Sequence, residues 1–305
     1  MAEEEDDPKT LTRKPKVIEY IFEDRYDPAT GEITDPIVKS DALLKAIEHC
    51  NKLGGKTLST KNPANFLKDY LRSPKRNELW PSVLKKARIT ARQKYRKGRV
   101  FAFAPYEADQ TEPFPDIFLL PTDAQEHIVE SVSLPSAARA LGRKDEAWLI
   151  QVCVHQRIVQ THFAVHSPLQ APLDIFHLQN SVKTTPEIDA IFLLTLGDAQ
   201  KSTKALVTLE AKRNEPILPD QIRAQIARMA ETCRKEKGLR DVELIVPVAA
   251  RSGLHDGGRV VALFEMAPVS VREGVAAYKA DEEHLIQLDI VTAVPYRLRP
   301  DVSGI

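Results

Sequence analysis

Apolar and polar positions follow two different rhythms along the chain, and the changes of rhythm mark its elements. Residues 17–35 carry the apolar runs Val17-Ile18 and Tyr20-Ile21-Phe22, then the turn signal Asp27-Pro28-Ala29-Thr30-Gly31, then Ile33. That pattern predicts a hairpin. Residues 41–52 predict a helix stopped by Gly54-Gly55. Asn62-Pro63 signals the start of another, with Phe66, Leu67, Tyr70 and Leu71 on one side. Pro81 opens a third short helix carrying Val83, Leu84 and Lys85; a basic loop, TARQKYRKGR, and a strand from Val100 to Phe103 follow. Residues 105–141 are rich in Pro and acids and predict a connector, with a short helix after Ser133-Leu134-Pro135. A long helix is predicted from Asp145 to about Val165, with Trp148, Leu149, Val152, Val159 and Phe163 on one apolar side. Strand-like stretches come next at 174–182, 187–196 and 204–212, then a helix from Pro219 to Lys237, then strands at 242–249, 260–265 and 285–294.

This order predicts a mixed α/β (α+β) fold, with a central mixed sheet flanked by helices and a small helical module before it. The expected divisions are an acidic segment with a hairpin (1–39), a basic module (40–108), a connector (109–141) and the sheet domain (142–305). No apolar run approaches the length of a membrane span. The opening MAEEEDD lacks the basic-then-apolar order of a signal peptide, so the expected compartment is the cytoplasm. Cys50, Cys153 and Cys233 are far apart and odd in number, which implies neither a disulfide framework nor a metal-binding spacing.

Charge changes the picture more. The net charge is zero over the chain. Residues 1–49 nevertheless hold 13 acids against 7 bases, and residues 52–99 hold 15 bases against 2 acids, Asp69 and Glu78. A block that basic repels itself unless an anion neutralises it, and nucleic acid is the usual anion. Arg92, Lys94, Arg96, Lys97 and Arg99 are the candidate phosphate contacts. Three short helices followed by a basic turn and a strand resemble a winged-helix or helix-turn-helix module.

The chemistry concentrates between Glu187 and Lys212. Side chains of a strand alternate between faces. In the strand that ends at Lys212, Ala205, Val207, Leu209 and Ala211 therefore point one way, and Leu206, Thr208, Glu210 and Lys212 the other. On the preceding strand Glu187 and Asp189 share a face. Gly197-Asp198 through Ser202 suits an antiparallel turn, and pairing the two strands brings Asp189 close to Glu210. Two carboxylates set together in an apolar sheet repel each other and lose hydration. A divalent cation offsets both costs, and hard oxygen ligands suit Mg²⁺.

Asp189 followed by Glu210-Ala211-Lys212 resembles the PD-(D/E)XK nuclease superfamily, most closely type II restriction endonucleases. The likeness runs over residues 145–265, although Glu187-Ile188-Asp189 stands where that motif has Pro-Asp, with Pro186 nearby. The resemblance implies that Asp189, Glu210 and the carbonyl of Ala211 hold Mg²⁺, and that Lys212 orients or helps deprotonate the attacking water. Glu146, Glu187, Gln221 and Gln225 are the expected supporting polar groups. In the helix after the motif, Ile222, Ile226, Met229 and Cys233 form a buried stripe, and Gln221, Gln225 and Arg228 form another, able to face the site or DNA. The implied activity is Mg²⁺-dependent cleavage of double-stranded DNA at a defined site, by a homodimer. The rivals are a structure-specific repair nuclease of the same superfamily and a non-catalytic DNA-binding regulator. Gly54-Gly55-Lys56-Thr57 is not a phosphate-binding loop, since Cys50 stands where its first glycine belongs. His162 and His166 read as ordinary helical histidines, and His255 as part of a turn.

Overall fold

The computed structural model describes residues 13–55, 57–169, 172–198 and 201–305. The acidic opening MAEEEDD and Lys56 lie outside the described residues. The chain forms two compact units that divide between Asp116 and Ile117.

The first unit begins with helix α1 (Lys14–Glu23). This corrects the strand expected at residues 17–22. Val17, Ile18, Ile21 and Phe22 are spaced as one helical stripe, and all four are buried. Only the turn at residues 27–31 is a hairpin, joining the two-residue strands β1 (Tyr26–Asp27) and β2 (Glu32–Ile33). Strand β3 (Ile37–Lys39) and helix α2 (Ser40–Lys52) follow. Three short helices come next: α3 (Phe66–Leu71), α4 (Arg76–Leu79) and α5 (Ser82–Lys86). Asn62 and Pro63 start a 3₁₀ turn ahead of α3, though the Asn62 side chain makes no cap bond. Half of the stretch expected to be a basic loop is sheet. β4 (Ile89–Gln93) pairs antiparallel with β5 (Arg99–Pro105), leaving residues 94–98 as the turn. β5 lies between β3 and β4.

The second unit holds an eight-stranded mixed sheet. Its strands are β6 (His127–Glu130), β7 (Pro172–Val182), β8 (Ile188–Gly197), β9 (Ser202–Lys212), β10 (Val242–His255), β11 (Gly258–Met266), β12 (Val269–Ser270) and β13 (Ile290–Arg299). The order is β6-β13-β11-β10-β9-β8-β7, with β12 beside the start of β10. β7, β8 and β9 form an antiparallel meander. β10 returns parallel to β9 after helix α9 (Pro219–Lys235). The tip between β10 and β11 turns at Asp256-Gly257, both with positive φ, as a tight hairpin requires.

Helices cover both faces. A short helix, α6 (Ser136–Ala140), precedes the segment expected to be one long helix. That segment is two: α7 (Glu146–His155) and α8 (Ile158–Val165). Arg157 between them takes a left-handed conformation (φ 52°), which ends the first helix without Gly or Pro. Asp145 caps α7 by accepting the Trp148 amide. Trp148, Leu149, Val152, Val159 and Phe163 pack against Ala205, Val207, Leu209 and Ala211 of β9 in one core. On the opposite face Ile222, Ile226, Met229 and Cys233 of α9 pack with Leu206, Ile245 and Phe264. Helix α10 (Val271–Ala280) rests on α9, and Gly274 lets it approach: a Cβ there would stand 2.6 Å from that of Ala230. The last strand starts at Ile290, five residues later than its expected start at Leu285, because residues 283–285 form a 3₁₀ turn.

His162 and Glu265 are fully buried and bonded to each other at 2.9 Å. Ser167 donates to the other Glu265 oxygen at 2.8 Å, and the Tyr296 hydroxyl meets His162 Nδ1 at 3.0 Å. His162 therefore joins α8 to β11 and β13, a larger role than the plain helical one expected. Glu265→Ala leaves His162 and Ser167 without their acceptor in a dry site, at a cost of about 3 kcal/mol. Thermal unfolding should show a melting point lower by roughly 6–12 °C; a change within about a degree would contradict this role.

Candidate active site

The chemistry-bearing side chains meet where β8 and β9 run past the first turns of α9. The ladder pairs Ala190 with Leu209, which sets Asp189 and Glu210 side by side at its end. Period-two alternation puts Thr208, Glu210 and Lys212 on the α9 face of β9. α9 starts with Pro219 in its first turn, and its four-residue spacing lays Gln221 and Gln225 over Glu210.

Glu210 and Lys212 are both buried, and Lys212 Nζ stands 2.6 Å from Glu210 Oε1. Gln221 Nε2 donates to Glu210 Oε1 at 2.7 Å, and Gln225 Nε2 donates to Oε2 at 2.6 Å. Gln225 also donates to the Glu187 carbonyl at 2.7 Å, tying β8 to α9. The Ala211 amide donates to Asp189 Oδ2 at 2.7 Å. Lys212 Nζ also donates, at 3.3 Å, to the Ala211 carbonyl, the oxygen expected to serve as a metal ligand.

Burial, with the Glu210 charge beside it, pushes the Asp189 carboxyl up to about 7, against the opposing pull of Lys212 and the Ala211 amide. Burial works the other way on Lys212, but Glu210 and Asp189 outweigh it, with a smaller contribution from Glu146, and the ammonium is held above its ordinary value. Lys212 is thus held as a cation and a donor in this site.

Asp189, Glu210, Lys212, Gln221 and Gln225 come together. Glu146, in the first turn of α7, enters only as a charge acting on Lys212. The exposed Glu187 carboxylate pairs with Lys183 at 2.5 Å and acts on Asp189 as the weakest of its neighbours. Arg228, in the same stripe as the glutamines, donates instead to the Tyr278 hydroxyl of α10.

Two buried oxygens beside this cluster, Thr208 Oγ1 and Gln221 Oε1, have no hydrogen-bond partner. Buried oxygens and carboxylates are the kind of donor a hard cation takes, although both Glu210 oxygens already accept hydrogen bonds from the glutamines. Sequence reasoning passed over Arg251. It is paired with Lys212 across the parallel β9–β10 ladder and so lies on the same face. Its guanidinium sits over the Phe264 ring and donates to the Phe118 carbonyl. A cavity of about 510 Å³ opens beside it, toward His255 and Asp256 at the hairpin tip. The signal was a lone Arg closing the apolar run at 244–250.

Glu126, His255 and Asp256 also bring ligand atoms within 4.8 Å of one another. Arg297 already clamps both Glu126 oxygens, and His255 Nε2 is bonded to the Ala124 carbonyl at 2.9 Å, so that cluster is an ion-pair network.

In the first unit, Arg92 on β4 pairs with Glu107 at 2.9 Å. Lys94, Arg96 and Lys97 lie in the β4–β5 turn, and Arg99 opens β5. The five basic residues thus belong to one hairpin. Comparisons with protein-family models, with curated proteins and with solved structures find no match.

Proposed function

We propose that the chain is a Mg²⁺-dependent endonuclease that hydrolyses phosphodiester bonds of double-stranded DNA at defined sites, as type II restriction endonucleases do. The observation that carries this reading is the cluster of Asp189, buried Glu210 and buried Lys212 on adjacent strands, with Glu210 oriented by two glutamines of α9. Three costly charged groups set into apolar strands imply a task that needs them. The sheet, with α7 and α8 on one face and α9 on the other, agrees with a restriction-endonuclease-like fold.

Asp189, Glu210 and the orphaned Gln221 oxygen would hold the ion. When bound, Mg²⁺ supplies charge stabilisation at the phosphate and an acidified water. Gln221 and Gln225 fix the plane of the Glu210 carboxylate, so its oxygens need no reorganisation. Lys212 donates to the attacking water or to a phosphate oxygen and offsets the charge that develops there. Arg251, one strand away on the same face, suits an adjacent phosphate.

The first unit is read as a winged-helix-like DNA-binding module. Helices α2 to α5 lie between β3 and the other two strands of its three-stranded sheet, and those two, β4 and β5, form a hairpin that carries Arg92, Lys94, Arg96, Lys97 and Arg99. Lys94→Ala with Lys97→Ala should weaken binding to all duplex sequences alike. It should lower the slope of log affinity against log salt by roughly 2, read by fluorescence anisotropy in a salt series. An unchanged slope would remove the hairpin from the interface.

The test of the reading is incubation with long unmethylated duplex DNA, with and without Mg²⁺. Discrete fragments that need the ion are expected. Cutting confined to branches, ends or lesions would favour a repair nuclease. Binding without any cutting would favour a regulator.

A further inference from the structure

β7 ends the sheet beside the strand that carries Asp189, and among the described residues no strand pairs with its outer edge. Such an edge presents a row of unpaired backbone N–H and C=O groups, and proteins usually guard it with short length, Lys, Pro or bulges. β7 is eleven residues long, and its only formal charge is Asp174. Its two bulges against β8 fall at Pro172/Asp174 and His177/Gln179 and leave a regular stretch, Asp174–His177, between them. Leu173, Phe176 and Leu178 stand 54%, 62% and 40% exposed along the strand. Phe176 lies opposite Leu193.

We propose that this edge pairs antiparallel with β7 of a second copy, joining the two sheets across a two-fold axis near Phe176. A nearly uncharged strand meets its own copy without like-charge repulsion, and an isologous contact satisfies both edges at once. DNA is a poor occupant, because the strand is apolar and its one formal charge is negative. An axis perpendicular to the sheet preserves its faces. Both Asp189–Glu210–Lys212 clusters then open to the same side, which is what cutting both strands of one duplex needs. That last point rests on the endonuclease reading; the contact itself does not.

The test is sedimentation of the full chain from nanomolar to high micromolar concentration, for wild type and for Phe176→Lys. Wild type sediments at twice the chain mass, and Phe176→Lys raises the dissociation constant at least a hundredfold. Where the variant fails to fold, amide exchange on wild type decides, since Asp174–His177 amides gain protection as dimer forms. A monomeric wild type, a dimer unchanged by Phe176→Lys, or β7 amides whose protection ignores concentration each overturn the proposal. A wild-type dimer that cuts no DNA in any form leaves this contact standing and defeats the endonuclease reading instead. A monomer that cuts does the reverse.

Discussion

Lys212→Ala should leave a folded, DNA-binding protein whose Mg²⁺-dependent cleavage is slower by about 10³-fold, the loss seen when one preorganised donor to a developing negative charge is removed. Lys212 Nζ is buried, 2.6 Å from Glu210, and held as an ammonium by the acids around it. Its removal takes one positive charge from a site that keeps two carboxylates. With duplex binding assigned by the proposal to the basic hairpin of the first unit, single-turnover rate should fall while affinity for DNA stays within a few-fold. Lys212→Arg should not rescue the rate, because a planar fork cannot sit where a compact ammonium fits between Glu210 and the Ala211 carbonyl. Quench-flow cleavage beside anisotropy binding checks this. A variant that cuts at the wild-type rate would reduce Lys212 to a structural ion pair.

Asp189→Asn should stabilise the ion-free protein at pH 8 and abolish its stabilisation by Mg²⁺. The Asp189 carboxyl titrates at about 7 in the fold, well above the ordinary value of 3.8. Because the folded state binds the proton more tightly, this group makes stability fall as pH rises from about 4 to 7, and the loss is complete above 7. The repulsion from Glu210 is then fully present. Asn keeps an oxygen for the Ala211 amide and removes the charge. The gain is on the order of 1–3 kcal/mol, or roughly 2–12 °C in melting point. A cation takes the place of the proton, so the Mg²⁺-induced rise in wild-type melting point should grow through pH 7 and vanish in the variant. Scanning calorimetry at pH 5.5 and 8, with and without Mg²⁺, reads both effects. Equal wild-type shifts at the two pH values would contradict the cation site.

The site was more legible in the sequence than the elements around it, for a physical reason. Strand alternation has period two and tolerates no drift. Glu210 and Lys212 therefore had to share a face once the run from Ala205 was a strand, and the turn at Gly197 set the pairing that brings Asp189 in. The α9 stripe was as plain, since four-residue spacing puts Gln221 and Gln225 on one side. Short apolar runs carry no such constraint. Val17-Ile18 and Ile21-Phe22 serve a β-strand or a helix equally by composition, and only tertiary packing decides between them. The break at Arg157 has no Gly or Pro to announce it. Helix α10 was passed over because Gly274 and few large apolar residues weaken its stripe; the overlooked signal was a capping pattern, Ser270 with Glu273, whose amide donates to Ser270 Oγ at 3.1 Å. Glu265 lay hidden in an apolar strand, and its partners, His162 of α8 and Ser167 just after it, lie about 100 residues earlier in the chain.

Asp189 and Glu210 are proposed to form a divalent-cation site. Calorimetric titration of Mg²⁺ into wild-type protein, with and without duplex DNA and in two buffers of different ionisation heat, tests it most directly. One saturable site per chain is expected, which tightens as pH rises through 7, releases a proton from Asp189 on binding at or below that pH, and is lost in Asp189→Asn. No saturable binding with DNA present, or binding indifferent to both pH and Asp189→Asn, would contradict it.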